Sequence, residues 1–295
     1  MLNFQPIVKE RIPEYRSYYD YTDALGCEFN FVGGYIWSER YLLRAAVFDG
    51  TLIKAYFRDD RRVWGYCMPS GKNVRGAVEE IFRDAGERGQ EAVIAYMSQA
   101  ERDRLETLFP NRFEFSREPE NQDYIYRSAD LAELSGKKYH SKRNHISKFF
   151  RTYSDEVKIE NLCAGNLGGA REVLQNWYAE NETEHADYGE CKAFGLALDS
   201  FDELGFRGLI IYVGGKPAAV TLGTPISGRC FDVMFEKALR EYDGIYAVIN
   251  NEFAKTLTDY EFLNREEDLG LEGLRKAKLS YHPAIIYDRY SAVQK

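Results

Sequence analysis

A chain of 295 residues, 44% hydrophobic and 29% charged, is long enough to bury two cores and too ordinary in composition to be disordered or fibrous. Its net charge of −8 and pI near 5.3 exclude a protein that coats nucleic acid non-specifically, though not one with a local basic patch. The five cysteines (Cys27, Cys67, Cys163, Cys191, Cys230) are scattered and odd in number, which predicts reduced thiols and neither a disulfide frame nor a metal site.

The opening residues carry no apolar stretch behind a basic start, and no run approaches the ~18 apolar residues of a membrane span. A soluble, cytoplasmic chain is expected. IVKERIPEYRSYYDY and NFVGGYIWSERY have helical spacing. LLRAAVFDGTLIKAYF reads as two strands joined at Asp49-Gly50, a hairpin signal, and RRVWGYCM as a third strand ending at Pro69-Ser70-Gly71. A helix (NVRGAVEEIFRDAGERG), a strand (AVIAYMS) and a helix N-capped by Ser98 follow, and FEFSREPENQDYIYR returns to strand.

The second half repeats this order. A basic helix leads to the strand EVKIENL, two helices (NLGGAREVLQNWYAEN and GECKAFGLALDSFDEL), and the strands RGLIIYVGG, PAAVTLGT and RCFDVMFE. Then come the helix IYAVINNEFAKTL, the segment FLNREEDLG, the helix LEGLRKAKLSY and the strand PAIIYDRYSAV. The repeated order predicts an α/β (α+β) protein of two tandem domains, 1–127 and 128–295, each a mixed, largely antiparallel sheet covered by helices. With no flexible linker near 127, the domains should share a sizeable interface, and the groove between them is the expected ligand site.

Three segments carry candidate chemistry. Residues 136–153, GKKYHSKRNHISKFFRTY, hold no acid before Thr152. At roughly 100° per residue, Tyr139, Ile146, Phe150 and Tyr153 form one stripe, with Lys138, Lys142, His145 and Lys148 on the adjoining arc. This face, with Arg143, is either an anion site for phosphates or a solvated surface over a packed stripe. In RCFDVMFE, strict alternation places Phe231, Val233 and Phe235 on one face and Asp232, Met234 and Glu236 on the other, giving two carboxylates a shared side. Gly244 of EYDGIY then opens a helix whose start would present free N–H groups to a phosphate. In NREEDLGLEGLRKAKLSYHP, Leu271, Leu274, Lys278 and Tyr281 share a helical face, so Lys278 interrupts an apolar stripe and needs an anion or an escape to water. Lys278 or Arg275 is expected to meet Glu252, Glu236 or a bound anion. An acidic loop with Asp187 and Tyr188 is either a lid or solvated. No phosphate-loop, HExxH or GxSxG motif is present, and His140, His145, His185 and His282 are too dispersed for a metal site.

The order of elements over 128–295 resembles the acetyltransferase fold in which a strand, a glycine turn and a helix hold a coenzyme pyrophosphate. Gly244 matches that turn, but Glu241 stands where a cation or amide belongs and Tyr246 where a small residue belongs. A glutamate repels pyrophosphate, which counts against acetyl-coenzyme A. On Phe29, Trp37, the Pro69-Ser70-Gly71 turn, DYIYRSADLAELSGKKYHSKRNHISKF and NREEDLGLEGLRKAKLSYHP, nearly the whole chain resembles the C-terminal domain family of phosphatidylglycerol lysyltransferases, whose fold is also that of Fem-type aminoacyltransferases. The resemblance implies an acyl- or aminoacyl-transferase with aminoacyl-tRNA or acyl-coenzyme A as donor. The acceptor would be an amine or hydroxyl of a small molecule, lipid head group or peptide. The membrane-spanning part of the lysyltransferases has no counterpart in this sequence.

On that basis Lys138, Lys142 and Arg143 are expected to hold donor phosphate. Gly244, Arg275 and Lys278 would place the acyl group, Glu236 or Asp232 would accept the proton, and Glu252 and Tyr281 would support them. A binding module for RNA or an anionic metabolite, without catalysis, is the reading of another class, and an acetyl-coenzyme A-dependent N-acetyltransferase a third.

Overall fold

The computed structural model describes residues 1–59, 62–181 and 188–295. Among them are two mixed sheets covered by helices. The first runs in the order Gln5–Pro6, Leu43–Phe48, Thr51–Phe57, Val63–Tyr66, Val93–Met97, Tyr290–Gln294, Phe113–Arg117, with Ser70–Gly71 beside Thr51–Phe57. The second runs Ile285–Tyr287, Asp123–Arg127, Phe262–Asn264, Cys230–Ala238, Lys216–Pro225, Arg207–Val213, Val157–Asn161. Neighbouring strands are antiparallel except Val63–Tyr66 with Val93–Met97 and Cys230–Ala238 with Phe262–Asn264. Each half therefore contains one parallel pair at a matching place in the order of elements.

Local rules account for much of this. Asp49 and Gly50 both take positive φ (44° and 66°), the geometry a two-residue hairpin turn needs. Ser98 and Glu101 form a reciprocal capping box at the start of Gln99–Leu108.

The expected division at residue 127 is not the division of the sheets. FEFSREPENQDYIYR is two strands, and so is PAIIYDRYSAV, and in each case the halves enter different sheets. Phe113–Arg117 lies in the first sheet and Asp123–Arg127 in the second; Ile285–Tyr287 lies in the second and Tyr290–Gln294 in the first. The two crossings run side by side, since the Glu118 N–H donates to the Arg289 carbonyl (2.9 Å) and Arg117 pairs with Asp288 (2.5 Å). Short polar breaks at 118–122 and 288–289 end one pairing and begin the other.

The largest core crosses the interface. Tyr15, Phe31 and Ile36 of the first half pack with Val173, Phe194, Leu222 and Phe235 of the second, and Trp37 stacks on Phe235 with ring centroids 5.7 Å apart. Asp187 and His185 lie outside the described residues, and Tyr188 begins the helix Tyr188–Asp199. Among the described residues no helix is long and apolar enough to cross a membrane.

Candidate active site

Cys230–Ala238 and Phe262–Asn264 pair in register from Cys230↔Phe262 to Asp232↔Asn264. The shorter strand ends at Asn264, and Cys230–Ala238 runs on past it. Cys230–Ala238 contains a β-bulge. Leu222 pairs with Phe235 and Thr224 with Asp232, so three steps on this strand oppose two on its neighbour. Gly223 sits opposite the extra residue, where a Cβ would lie 1.7 Å from the Asp232 carbonyl oxygen, so only glycine fits.

The bulge reverses the alternation that sequence periodicity predicts. Phe231 packs on Phe253 and Tyr260, whereas Phe235 packs on the opposite face against Trp37 and Phe194. Asp232 and Glu236 are accordingly not on one side. Asp232 is buried toward the first half, where its Oδ2 accepts from Asn30 Nδ2 at 2.9 Å. Glu236 faces the helix Ile245–Thr256 and Arg265.

Glu236 is the centre of a polar cluster beyond the end of that pairing. Its Oε1 accepts from Arg265 Nη2 (2.8 Å) and its Oε2 from Asn250 Nδ2 (3.2 Å). Arg265, just past the end of the pairing, lies 5.0 Å from the Tyr281 ring centroid and 5.7 Å from that of Tyr126, and its Nη1 is buried with no protein partner. Lys142 reaches in from the helix His140–Tyr153, with Nζ 3.8 Å from the Tyr281 ring centroid and 2.6 Å from Ser280 Oγ. Burial, followed by the neighbouring Arg265, lowers Lys142 to about 8, and burial raises Tyr281 to about 12. Glu236, Lys142 and Tyr281 are thus brought together as expected residues. Arg265 and Asn250 complete the group and were not singled out. An arginine immediately after a short strand, at the head of REED, was the available signal.

The other expected residues lie elsewhere. Lys278 is buried and donates to the carbonyls of Arg265, Glu266 (3.0 Å) and Glu267 (2.6 Å). It meets neither Glu252 nor Glu236, because the turn of chain behind Arg265 offers three carbonyls within reach of its stem. That turn includes Glu266 and Leu269 at φ 54°, a left-handed conformation costly for both, which the ammonium helps to hold. Arg275 forms a bidentate pair with Asp268 (2.7 and 2.9 Å), and Glu252 pairs with Lys255. Gly244 has φ 90°, and a Cβ there would lie 2.7 Å from the His145 carbonyl oxygen. Its close approach is to the crossing helix rather than to a ligand.

The cationic face is likewise divided. Lys138 pairs with Asp130 (3.4 Å) and Lys148 with Asp243 (2.5 Å), while Arg143 Nη1 donates to the carbonyls of Leu134 and Gly136 (2.8 Å to the latter), closing the preceding helix. Of this set, Lys142 reaches the group around Glu236 through Ser280 and Tyr281, and the full anion site does not assemble.

Comparison with known proteins places these observations in a family. A model described as phosphatidylglycerol lysyltransferase, C-terminal, matches residues 20–293. A structure of a conserved protein of unknown function from Bacteroides thetaiotaomicron is 34% identical, with all of both chains covered and a TM-score of 0.92. The structure of L-PGS from Bacillus licheniformis shares the fold at 14% identity, covering 99% of this chain and 93% of that one, with a TM-score of 0.69. An uncharacterized protein of Mycoplasmoides gallisepticum is 22% identical over 169 residues, 57% of this chain, and the chain spans about half the length of that curated relative (54%).

Proposed function

The chain belongs to the phosphatidylglycerol lysyltransferase C-terminal family, and on that premise we propose that it transfers an acyl or aminoacyl group to an amine or hydroxyl at the polar group around Glu236. The supporting observation is the Glu236–Arg265 pair. One edge of the guanidinium is fixed by the carboxylate, while Nη1 remains a buried donor without a protein partner.

In this reading the donor is an aminoacyl-tRNA or acyl-coenzyme A, with its carbonyl oxygen against Arg265 Nη1. The acceptor nitrogen or oxygen attacks the carbonyl carbon, and the negative charge that develops on the carbonyl oxygen is stabilised by the guanidinium. Glu236, oriented by Asn250, takes the acceptor's proton; the ester or thioester bond breaks and the leaving oxygen or sulfur recovers a proton. Asp232 has no part in this step, because the bulge turns it to the other face. Binding of RNA or an anionic metabolite without transfer is less well supported, since Lys138 and Lys148 already pair with acids.

The test is mass-spectrometric detection of transfer from a mixed aminoacyl-tRNA pool or from acetyl-coenzyme A to a panel of amine and hydroxyl acceptors. Glu236→Gln keeps the shape of the pair and should lower turnover about 10²–10⁴-fold. Transfer at the wild-type rate in that variant would remove Glu236 from the role of base.

A further inference from the structure

Lys142 stands apart from the neighbouring lysines of its segment. Lys138 and Lys148 end on carboxylates, whereas among the described residues Lys142 meets none. It is half-buried, and its Nζ touches two groups just past the helix Glu272–Leu279: the Ser280 hydroxyl at 2.6 Å and the face of Tyr281, 3.8 Å from the ring centroid.

What those two contacts can do for a lysine is limited. Ser280 Oγ donates its only proton to the Ala277 carbonyl (2.6 Å), so toward Lys142 it is an acceptor. The face of the Tyr281 ring attracts an N–H and offers no donor of its own. Neither contact can cap the lone pair of the amine once its proton has left. Lys278, the other lysine of this region withdrawn from water, differs, because its nitrogen is enclosed by three carbonyls.

The charged groups around Nζ favour loss of that proton. The Tyr281 ring carries both Lys142 and the Arg265 guanidinium, whose central carbon lies 5.0 Å from the centroid. Glu236, on the strand Cys230–Ala238, favours the proton, but its oxygens are committed to Arg265 and Asn250. The balance, led by burial and then by Arg265, lowers Lys142 to about 8. A desolvated lysine beside a second cation is one way a protein makes an amine nucleophilic near neutral pH.

We propose that Lys142 is an acylation site, its Nζ taking an acyl group from an activated ester or thioester brought to the group around Glu236. This rests on the reading that such a donor is delivered there. The neutral amine attacks the carbonyl carbon, an N–C bond forms, the C–O or C–S bond breaks, and the leaving oxygen or sulfur takes the proton released by nitrogen. Nothing is oxidised or reduced. The product is an amide, which removes the positive charge from the face of Tyr281.

The experiment uses the full wild-type chain and peptide mapping by mass spectrometry. Trace acetic anhydride, which needs no binding site, should label Lys142 about tenfold or more faster than the exposed Lys158 and Lys276 at pH 7.5. Roughly a quarter of a group titrating near 8 is free amine at that pH, against about 0.1% of one at 10.5, and half-burial and lower basicity offset part of the difference. Acetyl-coenzyme A and, separately, a mixed aminoacyl-tRNA pool distinguish thioester from ester sources, and at least one should leave its acyl group on Lys142. Lys142→Arg should lose that label without gaining one at Lys138 or Lys148. Labelling of Lys142 no faster than of Lys276, or no acyl mass on it from either donor, would overturn the proposal. Transfer to added acceptors with Lys142 unlabelled would overturn it and leave the transfer reading intact. Lys142 labelled with no transfer to any acceptor would support it and count against that reading.

Discussion

The guanidinium of Arg289 lies 2.7 Å from the carboxylate of Asp123, the first residue of the strand that carries the chain from the first sheet into the second. Arg289 itself immediately precedes Tyr290–Gln294, the strand by which the chain returns. Its other nitrogen reaches Glu28 at 2.5 Å, so one buried side chain ties both crossings to the first half.

Arg289→Met should destabilise the fold by about 3–5 kcal/mol, because it leaves Asp123 and Glu28 buried without their cation. Urea unfolding monitored by tyrosine fluorescence measures this. A loss under 1 kcal/mol would mean that the two acids are accommodated without the arginine.

Removing residues 290–295 should do more than trim a terminus. Tyr290–Gln294 lies between Val93–Met97 and Phe113–Arg117 and pairs with both, and its loss exposes two strand edges over a core that includes Ala292. The truncated chain should lose its cooperative transition or aggregate, as judged by circular dichroism and gel filtration. A monomeric, cooperatively melting product would show that the returning strand is dispensable.

Gly244→Ala should cost about 2 kcal/mol or more. The backbone is left-handed there, and the added methyl would collide with the His145 carbonyl of the crossing helix. The affinity of folded protein for a donor, measured at equal folded concentration, should change little. A large, selective loss of donor binding with unchanged Tm would restore Gly244 to a ligand-cradling role.

Lys142 supplies a pH signature. Its folded value is lowered to about 8 from an ordinary 10.5, so above pH 8 the unfolded chain holds more of this proton than the folded one. Its contribution to stability should therefore rise as pH increases from about 8 to about 10.5 and stay level below that window. Comparing the unfolding free energy of wild type and Lys142→Met across pH 7–11 isolates the effect. In the variant that rise should vanish; identical pH slopes in the two proteins would show that Lys142 titrates as in water.

Local signals carried most of the element order. Asp49-Gly50 encoded its hairpin, Ser98 its helix start, and apolar periodicity gave nearly every strand and helix, since each depends on neighbours a few residues away. The family resemblance also rested on contiguous motifs. What the sequence did not reveal is how strands pair across long separations. Nothing local in FEFSREPENQDYIYR or PAIIYDRYSAV says that its two ends join different sheets, because an edge accepts any strand of suitable pattern and the choice is made by the whole core.

The same limit applies at the site. Glu236 was legible as one of two carboxylates in an apolar strand, Lys142 as part of a cationic helix face, and Tyr281 as a member of a largely apolar helical stripe. The tertiary structure decided that Asp232 would face away from them, since one extra residue opposite Gly223 inverts a period-two pattern that looks regular when written out. It also decided that Lys278 would be consumed by three backbone carbonyls. Sequence alone determined which side chains are present and which elements carry them. Their partners were fixed only when two sheets exchanged strands and closed over a shared core, because burial makes a charged group find whatever lies within reach.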